Sequence, residues 1–232
     1  MGSLLTKENI FPIIIKNQYY QKTMTFNELR KKVKDYPIFK LEDVLKWFPE
    51  AKRQTTLNQI SFWEKKGWIE SLKKGIYILK ESEVREPFIV ANFIYSPSYI
   101  SLESGLNYYG IIPDIPFGVT SVTINKTNLF KTESFGTFYY HHIMPDLFFG
   151  YKTILVGRNY SYNIALPEKA LFDYLYLKAK KVDSFEGFIE ELRLSLPKDF
   201  NWKSFLKWQG LVSIRNKTFH QILKAFQEYY GQ

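Results

Sequence analysis

Between residues 25 and 79 the apolar residues change period in a fixed order, and that order constrains the fold more than any bulk property. Thr25-Phe26-Asn27-Glu28 has the spacing of a capping box, and Phe26, Leu29 and Val33 follow at helical intervals. Asp35-Tyr36-Pro37 ends that helix, because the residue before a proline is pushed out of the helical region. Leu41, Val44, Leu45 and Phe48 recur as i, i+3, i+4, i+7 and predict a second amphipathic helix, closed by Pro49. A third helix is predicted from Arg53 to Lys66, with Leu57, Ile60 and Trp63 inward and Gly67 as its C-terminal cap. The period then falls to two. Trp68-Ile69-Glu70-Ser71 and Ile76-Tyr77-Ile78-Leu79 flank Leu72-Lys73-Lys74-Gly75, which predicts a tight hairpin.

Helix, helix, turn, helix, two-stranded wing is the order of a winged helix-turn-helix, in which the third helix enters the major groove. With Leu57, Ile60 and Trp63 inward, the opposite face carries Gln54, Thr55, Asn58, Phe62 and Lys65. Gln and Asn can bond adenine bidentately, and Thr or Phe can touch a thymine methyl. Lys52 and Arg53 at the helix start, with Lys73 and Lys74 at the hairpin tip, are expected to meet phosphates. Charge supports this: residues 1–80 hold 16 basic and 8 acidic side chains, a net +8, whereas residues 81–232 hold 16 and 15, a net +1. A localised basic excess is the footprint of a polyanionic partner.

Glu81-Ser82-Glu83-Val84-Arg85-Glu86-Pro87 is charged and poor in apolar residues, and is expected to be a linker between residues 1–80 and 88–232 that does not dock firmly. Beyond it, helices are predicted over Pro87–Tyr95 and Ser101–Tyr109. Strands are predicted over Thr120–Ile124, Gly136–Ile143 and Tyr151–Ala165, the last broken near Gly157. Pro167 suits a helix start, with Glu168 in the first turn and Lys178, Lys180 and Lys181 in the last. Two faces, Phe185/Phe188/Ile189/Leu192 and Phe219/Ile222/Leu223/Phe226, predict further helices. The expected class is α+β: an N-terminal winged helix-turn-helix, then a mixed helix/sheet domain ending in helices.

With 20 Phe, 17 Tyr and 5 Trp in 232 residues the chain can bury a core without staples, and it has no Cys. That excludes disulfides, thiolate metal sites and thiol catalysis, and fits a cytoplasmic protein. No apolar run is long enough to span a membrane, so no membrane partner is expected. Met1-Gly2-Ser3-Leu4-Leu5-Thr6 matches a myristoylation pattern and Asn125-Lys126-Thr127 a glycosylation sequon, both short matches that arise by accident. No phosphate loop, nucleophile elbow or zinc-protease motif is present. His141 and His142 are adjacent in a predicted strand and point to opposite faces, which disfavours a shared metal. Glu64-Lys65-Lys66 has a nuclease-like spacing but lies in the third helix, and Glu103, Glu168 and Asp173 are scattered acids expected to cap helices or face solvent. No catalytic residue, metal or cofactor is therefore expected.

Arg53-Gln54-Thr55-Thr56-Leu57-Asn58-Gln59-Ile60 with Lys66-Gly67-Trp68-Ile69 and Lys74-Gly75-Ile76-Tyr77 forms one notable phrase, and the stretches from Ser98 to Gly110, from Phe135 to Tyr140 and from Ile164 to Asp173 form three more. Together these phrases resemble AbiEi-type antitoxins. The resemblance implies an antitoxin of a type IV toxin–antitoxin, abortive-infection system that represses its own promoter at inverted repeats. It also implies that the second domain counters a nucleotidyltransferase toxin without a stable complex, and it assigns no residues to that action. The alternatives are a winged-helix transcription regulator without a toxin partner, or a nuclease-like DNA-modifying enzyme.

Overall fold

The computed structural model describes residues 24–178, 185–213 and 216–230. The chain is α+β. In the first part Thr25 caps α1 (Phe26–Lys32), its hydroxyl accepting from the Glu28 amide at 3.2 Å while the Glu28 carboxylate accepts from the Thr25 amide at 2.8 Å. A short strand β1 (Ile38–Lys40) leads directly into α2 (Leu41–Trp47), and α3 spans Arg53–Lys65. The hairpin follows as β2 (Ile69–Lys73) and β3 (Ile76–Leu79). All three strands pair antiparallel in the order β1-β3-β2, with a register shift between Ser71 and Lys73 beside Gly75, whose φ of +81° only glycine adopts freely.

The second part contains α4 (Pro87–Ile94), β4 (Ser98–Ile100), α5 (Leu102–Tyr108), β5 (Val119–Thr123), β6 (Asn128–Thr132) and β7 (Gly136–His142). After a single 3₁₀ turn come β8 (Tyr151–Val156), β9 (Tyr160–Ala165), α6 (Pro167–Lys178), α7 (Phe185–Glu191), α8 (Trp202–Gln209) and α9 (Lys217–Tyr230). Six strands form one mixed sheet in the order β6-β7-β5-β4-β9-β8, in which β4/β9 and β5/β7 run parallel. Strands β1, β4 and β6 were not expected from the sequence. Two have three residues, too short to show a period, and β6 is a half-exposed edge without a clean apolar face. Met1–Thr6, Lys180 and Lys181 lie outside the described residues.

Each sheet is covered on both faces. The large sheet buries Tyr99 and Val122 against α5, α6, α8 and α9, where Phe172, Phe205, Phe219 and Phe226 are fully buried. Its other face, through Ile100, Val119, Phe138, Tyr140 and Ile164, meets α4 and the small sheet. The small sheet alternates in the same way. Phe39, Ile69, Tyr77 and Leu79 face α1–α3, whereas Ile38, Leu72, Ile76 and Ile78 face α4 and the large sheet. The run Ile76-Tyr77-Ile78-Leu79 is therefore apolar at every position because it is buried on both sides.

This arrangement corrects the expectation of an undocked linker. Val84 is buried in the core shared by the two halves, and Glu81 pairs with Arg30 of α1. A second tie crosses nearby. The Glu70 carboxylate, on β2, accepts from the backbone amides of Glu133 and Ser134 at 2.9 and 3.0 Å, from the Ser134 hydroxyl and from the Lys80 ammonium at 3.1 Å. Burial alone would raise this carboxyl's pKa, but the Ser134 and Lys80 donors hold it below the ordinary value.

Candidate functional site

Helix α3 is fixed at both ends and by its inner face. Lys52 is its extended N-cap residue, and the Thr56 amide bonds the Lys52 carbonyl at 3.0 Å. At the other end Gly67 takes φ +72°, its amide bonds the Glu64 carbonyl at 2.9 Å, and the Trp68 amide bonds the Trp63 carbonyl at 3.0 Å. That is a Schellman termination. Ile60 and Trp63 are buried as expected, but Thr56 lies deeper than Leu57, which is half-buried. The inner stripe is thus rotated slightly from the one the apolar residues alone suggest.

The outer face presents Gln54, Asn58, Phe62 and Lys65 to solvent, with Thr55 half-buried. Gln54 donates from Nε2 to Asn58 Oδ1 at 3.0 Å, so the two amides form one exposed i, i+4 unit with unused donors and acceptors. Phe62 stands 52% exposed, edge-on to Trp68 at 6.5 Å and with the Lys66 ammonium 5.5 Å from its ring. Lys52 and Arg53 are exposed at the helix start, and Arg53 reaches the Glu42 carboxylate only at 3.8 Å.

The hairpin lysines differ. Lys74 is exposed at the turn. Lys73, expected beside it at a phosphate, turns the other way. Its ammonium donates to the Ile94 carbonyl at the end of α4 at 2.8 Å and lies 5.3 and 5.0 Å from the Tyr95 and Phe130 rings. Burial, with Lys40 nearby, lowers its pKa. Lys73 is the last residue of β2, whereas Lys74 already lies in the turn, so the two neighbours take different directions. Between the start of α3, the hairpin turn and the end of α4 lies an open groove of about 600 Å³. Arg53, Lys40, Lys73 and Lys74 line it with one acid, Glu42.

Of the scattered acids of the second half, Glu168 and Asp173 are buried, and Glu103 is half-buried and paired with Lys178 at 2.7 Å. Asp173 and Lys169 are fully buried and paired one helical turn apart on α6. The Tyr99 and Ser101 hydroxyls donate to Asp173 at 2.9 and 2.8 Å, and Lys169 donates to the Tyr99 oxygen at 2.9 Å. The Lys169 ammonium also lies 5.1–5.4 Å from the rings of Tyr99, Phe149 and Phe172. Burial pushes Asp173 up and Lys169 down, against their mutual attraction. The cluster has no solvent-exposed member and ties β4 to α6 through the core. Its signal in the sequence was the i, i+4 spacing of Lys169 and Asp173 inside an apolar helix face. Glu168 likewise accepts the Asn201 amide at 2.7 Å. His142 is exposed, with Nδ1 3.0 Å from the Asn125 carbonyl oxygen. Among the described residues no three His, Cys, Asp or Glu side chains could hold a metal together, and no helix is long and apolar enough to cross a membrane.

No protein-family model matches this chain, and no curated protein matches it in sequence. The site's chemistry therefore rests on the residues themselves.

Proposed function

We propose that the first part of the chain is a winged helix-turn-helix that reads duplex DNA through α3, and that the protein is a repressor of its own promoter. The observation that carries this reading is the exposed Gln54–Asn58 amide pair, flanked by Lys52 and Arg53 on one side and Lys74 on the other. The element order α1-β1-α2-α3-β2-β3 and the β1-β3-β2 pairing support it, as does the net +8 of residues 1–80.

In the major groove the amide pair exchanges its internal hydrogen bond for bidentate bonds to adenine edges. Each such contact is worth about 1–3 kcal/mol of discrimination. Lys52, Arg53, Lys65 and Lys74 supply the phosphate contacts that set register but carry no sequence information. Two such chains on inverted repeats would present two α3 helices to successive major grooves.

For the second part we propose the antitoxin role, countering a nucleotidyltransferase toxin. What supports it is the likeness of residues 98–110, 135–140 and 164–173 to AbiEi antitoxins.

Gel shifts of the full chain on its upstream promoter, over a range of salt, test the first proposal. Salt-dependent binding with preference for that duplex is expected, and indifference to both salt and sequence refutes it. Co-expression with an adjacent-gene nucleotidyltransferase tests the second, and growth arrest that the chain does not relieve refutes it.

A further inference from the structure

Phe62 stands on the outer face of α3 with half of its surface in water, and neither the amide pair nor the phosphate contacts account for it. Gln54, Asn58 and Phe62 follow at i, i+4 and i+8 along one ridge of the helix. With about 1.5 Å of rise per residue, the ring lies about 6 Å beyond Asn58 along the axis, close to two base-pair steps of about 3.4 Å. The ring is also braced. Trp68 meets it edge-on at 6.5 Å and is itself tilted against Phe26 at 4.7 Å.

The surroundings of the ring narrow its partner. Lys65 and Lys66 are exposed, and neither pairs with an acid among the described residues. The Lys66 ammonium lies 5.5 Å from the ring centroid. An apolar ring therefore stands beside cations that no carboxylate neutralises, and its complement is an apolar group flanked by anions. A thymine C5-methyl is such a group, set in the major groove between two phosphate backbones. An apolar protein patch supplies the contact without the anions. An anionic membrane supplies both, but offers no base edges to the Gln54–Asn58 amides on the same ridge.

We propose that Phe62 reads the C5-methyl of a thymine about two base pairs from the adenine met by Asn58, so that one ridge of α3 selects adenine and thymine at a set spacing. This rests on the DNA-reading role proposed above for α3. The two signals are chemically separate. The amides read hydrogen-bonding edges, and the ring reads an apolar bump. Uracil in place of thymine keeps the O4 acceptor and loses only the methyl.

The test is a gel-shift titration of the full chain on its upstream promoter, and on copies of that promoter in which each thymine is replaced in turn by uracil. Uracil at one position for each bound α3 is expected to weaken binding about fourfold, which is about 0.8 kcal/mol for one buried methyl at about 1.4 kcal/mol per factor of ten. Phe62→Ala should weaken the unmodified promoter severalfold and bind the uracil duplex as well as the thymine one. Phe62→Leu keeps an apolar group and should keep part of the difference. Asn58→Ala should leave the uracil effect in place. Phe62 is a surface side chain, so its variants should fold, and denaturant midpoints check that they do. Equal binding with uracil at every position overturns the proposal, as does a uracil effect that persists in full in Phe62→Ala. If the uracil scan is flat and Phe62→Ala instead loses binding to anionic vesicles or self-association, the ring belongs to a membrane or to a second copy of the chain. A chain that binds no duplex overturns the reading of α3 as well, and the unmodified promoter in the same titration tells that failure from the others.

Discussion

Lys73 and Lys74 are adjacent in sequence and chemically identical, yet the structure gives them opposite roles, and substituting each to alanine separates them. Lys73 loses a charged hydrogen bond to the Ile94 carbonyl and two ring contacts at about 5 Å. A charged hydrogen bond contributes about 1.5–3 kcal/mol and an exposed cation–π contact about 0.5–1 kcal/mol. Lys73 is only half-buried and its burial beside Lys40 works against the charge, so screening and desolvation cut the total to about 1–2 kcal/mol of folding stability. Lys74 is exposed and bonds nothing in the described structure, so Lys74→Ala should leave stability within about 0.5 kcal/mol. On promoter DNA the order reverses. Loss of one phosphate contact flattens the plot of log K against log salt by about 0.9. Lys74→Ala should show that flattening on every duplex, and Lys73→Ala should leave the slope unchanged. Urea unfolding and gel shifts at four or more salt concentrations measure the two quantities. A flatter slope with unaltered stability for Lys73→Ala would mean that its ammonium is free for DNA, and the placement argued here would be wrong.

Gln54→Ala and Asn58→Ala should each cost about 1–3 kcal/mol on the promoter and relax preference at one base position, as checked by binding to a set of single-base variants. Glu70→Gln should remove about 1.5–3 kcal/mol of stability, seen in denaturant midpoints. Because the folded Glu70 pKa lies below its unfolded value, its contribution is present above about pH 4.5 and fades as pH falls through the lower folded value; the variant should lose that part of the acid sensitivity. Asp173→Asn leaves a buried ammonium without its counter-charge and should destabilise by about 3–5 kcal/mol, whereas Lys169→Met with Asp173→Leu should recover most of the loss in thermal unfolding. A double variant no better than the single would show that Tyr99 and Ser101 depend on the charge itself.

How far the sequence was legible depended on how local the signal was. The Thr25–Glu28 box, the Gly67 cap and the periods of α2, α3 and α9 are written within one or two helical turns, and the structure matches them. Strands β1 and β4 derive their identity from partners distant in sequence, Ile76–Ile78 and Ser121–Thr123, so three residues alone could not announce them. The same holds for the site. The outward amides of α3 followed from helix geometry, but the inward turn of Lys73 required knowing that α4 ends beside it. Val84 gives no local signal, because a single valine among charges weighs little in any local average. Asp173 reads from the sequence as a capping or solvated acid because charged side chains are rarely so deeply buried, and Tyr99 and Ser101, some seventy residues earlier, make its burial tolerable.

The doubly covered small sheet has a consequence for any attempt to transplant the first part of the chain. A reader joined by a slack tether can be grafted onto a foreign effector, since cutting the tether uncovers nothing. Here a cut at residues 81–87 strips Ile38, Leu72, Ile76 and Ile78 of their cover on one fragment and bares Ile89, Val90 and Phe138 on the other. Each fragment would carry a greasy, β-rich patch matched only to its lost mate, so a chimaera built at that seam should clump unless the recipient rebuilds the missing wall. The two halves are one casting, and whatever α3 engages would be held at a fixed bearing to the second half.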